Sequence, residues 1–355
     1  MARYFNFVFL FTVSLATKSV SPISVTFGAA PEPWLPLNGG SFSGLPQPFS
    51  PDPLVQYQWP DNGSINDEEL QLFSVSPLDC GPHDNSSKNA FQNVTSCDGT
   101  STSIAITVTG QGTLIIDFGV ELAAFLEIDI SNLSDEDYNT IQFGIGEYTE
   151  IDWVGGFKRD TPKRYGSSCD TSTCTYRLET SNTPTEMYEG IRYGFLVISS
   201  PPTSPFILSS IRAVSQAKAV NYTGSFSSAG DPLLERVWYT AAYTVRATLQ
   251  SLYMGSILMN RGDRFSWQGD AHPTQATSMI AFSNYAFVFN NMNRSKSDCQ
   301  GIATYCLYFI LSVGDYFRET GDVAGVAYLT PNIQANLDHA VTMWPDPEGL
   351  RFVGW

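Results

Sequence analysis

The apolar residues of this chain change their repeat at one place, and that change limits what it can fold into. From about residue 70 to 220, "TSIAITVTG", "GTLIIDFG", "FLEIDIS", "TIQFGIGEY", "CTYRLET", "YGFLVIS" and "FILSSIRAV" are β-branched and aromatic runs of strand length. Turn residues separate them, which predicts an antiparallel β-sandwich over residues 70–225. In "SAGDPLLERVWYTAAYTVRATLQSLYM", Leu234, Val237, Trp238, Ala241 and Val245 then recur at helical spacing. Asp231 followed by Pro232 reads as a helix start, with Asp as N-cap and Pro at the first helical position. Further helices are expected at about 274–290, 302–319 and 331–343. Strands first and helices afterwards predict a multidomain β + α chain, with residues 226–355 helical, rather than an α/β sheet.

The rest of the chain reads as leader and arm. "MARYFNFVFLFTVSLATKSVS" has a positive Arg3, an apolar run too short to span a bilayer, and small residues after it. Residues 1–20 are therefore expected to be a secretory signal peptide, and 21–69 a Pro/Gly/Ser-rich extended arm. Six cysteines fall into three neighbouring couples, Cys80 with Cys97, Cys169 with Cys174, and Cys299 with Cys306. In an oxidising compartment these are expected to pair as neighbours, although six cysteines allow about fifteen connectivities. No couple has CxxC spacing and the three histidines are scattered, so no metal is expected. Sequons at Asn62, Asn85, Asn93, Asn132, Asn221 and Asn293 agree with a secreted, extracellular protein. The net charge of −16 with no basic stripe argues against nucleic acid. No later segment has the length of a membrane helix, so no membrane partner is expected.

Charged residues are 15% of the chain, yet "RGDRFSWQGDAH" crowds Arg261, Asp263, Arg264 and Asp270 around Trp267. Mixed charge beside an aromatic platform on a loop is typical of a sugar site. Carboxylates bind hydroxyls or transfer protons, and the indole stacks on a sugar face. A capping loop is the plain alternative, with Asp270 as N-cap and Asp263 paired to an arginine. Arg-Gly-Asp adhesion is a third reading, disfavoured by Phe265 and Trp267 following at once. His272 reads as a pocket residue or as part of the helix's first turn. Asp117 in "IIDFG" reads as a sugar contact or a turn aspartate.

"RGDRFSWQGDA" resembles the signature of the α-L-rhamnosidases of glycoside hydrolase family 78 and their six-hairpin relatives. Arg261, Asp263, Arg264, Trp267, Gly269 and Asp270 fall at the right spacings. "GTLIIDFGVELAAFLEIDI", "IGEYTE", "YEGIRYGFLVI", "GSFSSAGDPLLERVWYTAAYTVR" and "GDYFRETGD" are similar to flanking segments, so the resemblance runs from about residue 105 to 355. It implies the first helices of an (α/α)6 barrel after the sandwich, and inverting hydrolysis of terminal α-L-rhamnosides without a cofactor. Asp263 would be the general acid; Arg261, Arg264, Trp267, Asp270 and His272 would bind substrate. Two departures stand out. The acid is Asp where many members have Glu, and Ile257 and Leu258 stand where the family usually carries another Asp. The general base lies far downstream in the family, so this chain is expected to be an inactive fragment of a longer polypeptide. A non-catalytic secreted carbohydrate-binding or adhesion protein is the alternative. Oligomeric state is left open.

Overall fold

The computed structural model describes residues 70–343, except 100, 150–156, 166–171, 179–188, 219, 221, 229, 251–252, 255–266 and 298. The expected signal peptide and arm, Cys169, and the sequons at Asn62 and Asn221 lie outside the described residues. The first strands are β1 (Leu70–Val75), β2 (Asp79–Pro82), β3 (Phe91–Gln92), β4 (Ser103–Val108) and β5 (Gly112–Ser131). A short helix α1 (Asp135–Tyr138) precedes β6 (Ile141–Gly146), β7 (Phe157–Asp160), β8 (Lys163–Tyr165), β9 (Thr173–Arg177), β10 (Glu189–Ile198) and β11 (Phe206–Lys218). All are joined in one antiparallel sheet, whose main path runs β3-β4-β11-β5-β10-β6-β7.

Sequence patterning reads "GTLIIDFG" and "FLEIDIS" as two strands, but they form the single strand β5, twenty residues long. Gly119 does not end the strand. Its φ of 81° is open to glycine and strained for other residues, and here the register with β10 shifts between Ile191 and Tyr193. β10 pairs with β5 on both sides of Gly119, at 112–117 and again at 122–124; β2 pairs only before it, and β11 and β9 only from Ala124 and Glu127 onward. β5 is buried on both faces. Leu114, Ile116 and Phe118 enter the main core, whereas Ile115 packs with Tyr193 and Phe195. Such two-sided burial explains why β5 lacks simple alternation and reads as near-continuous apolar sequence.

Asp117 sits in this strand fully buried. Its carboxylate accepts from Arg192 Nε and Nη2, both at 3.1 Å, and from the Gly119 N–H at 2.7 Å. Of the two readings of Asp117, the structure supports the turn and ladder role. A second charge array crosses the strands: Glu127 binds Arg177 and Arg212, and Arg212 also reaches Asp129 at 2.8 Å. Arg177 is stacked between the Phe125 and Tyr165 rings, 3.6 and 3.3 Å from their centroids. Cys80–Cys97 and Cys299–Cys306 are disulfides, with Cα separations of 5.6 and 4.9 Å, and Cys174 is disulfide-bonded as well.

The helical region follows. α2 (Pro232–Ala247) begins as expected, with Asp231 Oδ1 accepting the Leu233 and Leu234 N–H groups at 3.0 and 3.2 Å. β12 (Leu249–Gln250) and β13 (Tyr253–Met254) form a small hairpin. The helix expected at 274–290 is two helices, α3 (Gln268–Phe282) and α4 (Tyr285–Ser295). Ser283 at φ 52° closes α3 in the left-handed region and breaks the run. α5 (Ala303–Thr320) falls where predicted. α6 (Val323–Met343) starts eight residues earlier than the pattern indicates and contains Pro331 in its interior. A proline is favoured at a first helical position, which misplaces the start; the actual start is set by Asp322, whose Oδ1 accepts the Gly325 N–H at 2.8 Å. Tyr316 donates to the other Asp322 oxygen, and burial together with that carboxylate pushes its hydroxyl up to about 12.

Val220, Val245, Met279, Phe282, Phe287, Val288, Phe309, Val313 and Leu329 form the helical core. Leu233, Leu234 and Val237 of α2, and Val323, Tyr328, Leu337 and Val341 of α6, stay exposed. Tyr243 on α2 donates its hydroxyl to the Glu121 carbonyl oxygen and so ties the helices to β5.

Asp117→Ala is expected to lower stability by about 3–5 kcal/mol, because it strands a buried guanidinium, while Asp117→Leu with Arg192→Met recovers most of it. Urea unfolding curves of the three variants measure this. Glu121 gives a pH signature: burial, then the charge of Glu147, raises its carboxyl well above the ordinary glutamate range. The unfolded chain ionises this group near about 4.3, the folded chain only at higher pH. The stability of the neutral form is therefore complete below that value and declines as pH rises toward the raised one. Glu121→Gln is expected to flatten that decline, read from urea midpoints between pH 4 and 8.

Candidate sugar-binding site at the start of α3

Arg261, Asp263 and Arg264 lie outside the described residues, which begin again at Trp267. From there the sequence builds a site around the first turns of α3. Trp267 occupies the N-cap position with extended backbone and no side-chain cap. Its carbonyl accepts the Ala271 N–H at 2.7 Å. The N–H of Gln268, which has no partner within the helix, is met from another loop by Gln300 Oε1 at 3.2 Å. Gln268 itself is buried and donates its amide to the Ser295 carbonyl. Asp270 is thus the third residue of the helix, not its N-cap: the helix starts three residues earlier than the capping reading places it. Its carboxylate stays at the helix's positive end, where negative charge is stabilised.

Asp270 is exposed, and its Oδ2 accepts from the Tyr305 hydroxyl at 3.0 Å. Tyr305 lies in the first turn of α5, and its ring meets Trp267 edge-on at 6.5 Å between centroids. Gly269 permits this arrangement. A Cβ there would collide with the Tyr305 ring, so a side chain at 269 would push Tyr305 away from Asp270. The glycine of the motif is therefore a close-approach glycine. Trp267 and Asp270 are brought together on one tyrosine, as a stacking platform beside a hydroxyl-binding carboxylate requires.

His272 falls at the start of the second turn of α3, not in the first. Its Nε2 lies 3.1 Å from Asp315 Oδ2, and its ring stacks on Tyr308 at 5.4 Å and 26°. Asp315 also receives Arg318 through its other oxygen. Tyr305 and Tyr308 are themselves in edge contact, 6.5 Å apart. Tyr305, Tyr308 and Asp315 were not singled out from sequence. Their spacing of three and then seven puts them on one face of α5, a signal visible in "TYCLYFILSVGDYFR" once the partner helix is known.

His83 lies 3.8 Å from Asp84, remote from this site in sequence. His339 is near Cys299 and Cys306, with ligand atoms all within 4.8 Å. Both sulfurs are consumed in the disulfide and offer no thiolate, so this trio is not a metal centre in this state. Among the described residues no helix is long and apolar enough to cross a membrane.

The described residues form an antiparallel β region followed by packed helices, a β-plus-α fold. Two solved structures share it. A rhamnosidase from Klebsiella oxytoca with rhamnose bound superposes at a TM-score of 0.56 and 15% identity, over 78% of this chain and 58% of the other. A GH78 family rhamnosidase of Bacillus sp. GL1 superposes at 0.55 and 20% identity, over 74% of this chain and 28% of the other. The chain has a rhamnosidase-like fold and spans little more than half of the first structure and under a third of the second. No protein-family model matches the sequence, and no curated protein matches it significantly.

Gly269→Ala is expected to cost about 1–3 kcal/mol by forcing Tyr305 aside, and Tyr305→Ala in the same protein to cost much less than the two changes separately. A double-mutant cycle on thermal unfolding checks this; strict additivity would mean that the two groups do not meet.

Proposed function

We propose that this chain supplies the general-acid side of a secreted glycoside hydrolase of the α-L-rhamnosidase kind, acting on terminal α-L-rhamnosides or a closely related sugar with inversion, and that by itself it is inactive for want of the general base. Its β domain, residues 70–225, supports a helical catalytic domain, residues 226–355, that supplies hairpins of an (α/α)6 barrel. Asp263 is the general acid that protonates the leaving oxygen; Arg261 and Arg264 contact the substrate or balance the charge beside it. Trp267 forms the apolar wall, Asp270 binds sugar hydroxyls, and His272 lines the same pocket. The observation that carries this reading is the joint placement of Trp267 and Asp270 on Tyr305, immediately after the Arg-Gly-Asp-Arg segment. The likeness in fold to two rhamnosidases supports it. Inversion needs a second carboxylate roughly 6.5–9.5 Å from the acid to activate water, and it is assigned to none of these residues.

Binding and hydrolysis separate the enzyme from a sugar-binding protein. L-Rhamnose is expected to quench or shift Trp267 fluorescence, and Asp270→Asn to weaken binding about tenfold or more. If release of an aryl α-L-rhamnoside is observed, Asp263→Asn should lower kcat by about 10²–10⁴-fold. Unchanged turnover in that variant removes Asp263 from the acid role. Binding with no turnover in any variant leaves this chain a sugar-binding one, whether as a hydrolase fragment without its base or as a non-catalytic protein.

A further inference from the structure

The contact between His272 and Asp315 joins α3 to α5 and is independent of the Asp270–Tyr305 contact. A carboxylate only accepts hydrogen bonds, so the 3.1 Å approach of Nε2 to Asp315 Oδ2 assigns a proton to Nε2. In the neutral tautomer with that proton, Nδ1 is the acceptor. Arg318 holds the other oxygen of Asp315, so the carboxylate is fixed from two sides. The Tyr308 ring, stacked on the imidazole, fixes its plane. Both side chains keep contact with solvent, 22% for His272 and 25% for Asp315, so a ligand can reach the pair.

We propose that Asp315 is a positioning residue of the sugar site: it sets the tautomer of His272, so that Nδ1 accepts a hydrogen bond from a hydroxyl of a neutral deoxyhexose. This rests on the sugar-site reading of Trp267 and Asp270. Recognition would then be divided between two kinds of acceptor. Asp270 offers a carboxylate oriented by Tyr305, and His272 an imidazole nitrogen oriented by Asp315. The continuous ring contacts from Trp267 through Tyr305 and Tyr308 to His272 make the two acceptors parts of one wall on α3 and α5.

The chain has three histidines, so long-range proton–nitrogen spectra of the whole ¹⁵N-labelled protein can follow His272 individually. The free protein is expected to show His272 protonated at Nε2. Titration with L-rhamnose should shift its Nδ1 and leave His83 and His339 in place. Asp315→Asn should lose the single tautomer and weaken L-rhamnose binding by up to about tenfold with helical content unchanged, and Asp315→Glu should restore both. Protonation at Nδ1 in the free protein overturns the proposal. Shifts at the Trp267 indole with His272 unmoved overturn it too, while the sugar site stands. If L-rhamnose moves neither residue, both readings fall together.

Discussion

A strand buried on both faces has no solvent side on which to place polar groups, and β5 is twenty residues of such a strand. Everything polar in it must be neutralised inside the protein. Asp117 is met by Arg192, Glu127 by Arg177 and Arg212, and Asp129 by Arg212. These pairs lie across strands, so they also fix which strand lies beside which, since a one-residue slip would bury unpaired charge. The helices lean on the same strand through Tyr243 and the Glu121 carbonyl. The position of the helical region thus depends on a β-strand held in register by internal charge.

The site has a different economy. The start of α3 lacks a side-chain cap of its own and takes one from Gln300. Among the described residues, Asp270 is met by a tyrosine hydroxyl rather than a cation. A tyrosine orients a carboxylate without cancelling its charge, which leaves that charge available to hydroxyl donors. The glycine of the motif makes the exchange possible by clearing space for the ring.

How much of this was legible in the sequence can be judged residue by residue. The order of strands and helices, the Asp231 cap and two of the disulfides follow from periodicity, capping chemistry and cysteine spacing. The fusion of two apparent strands into β5 was hidden, because glycine marks a turn and a bulge within a strand equally well. The division between α3 and α4 was hidden too, since Ser283 and Asn284 carry no strong breaker signal. The start of α6 was misplaced by reading Pro331 as a first-turn residue. In the site, Trp267, Asp270 and His272 stood out from local crowding, whereas Tyr305, Tyr308 and Asp315 belong to it only through the packing of α5 on α3. No spacing within "RGDRFSWQGDAH" points to them.

Gln300, which caps α3, and Tyr305, which orients Asp270, both lie between Cys299 and Cys306. A protease cut anywhere in that stretch would leave the end of α4 and the start of α5 joined through sulfur. The two residues would remain tethered beside the helix they serve. This small ring would let the site survive damage to its own loop.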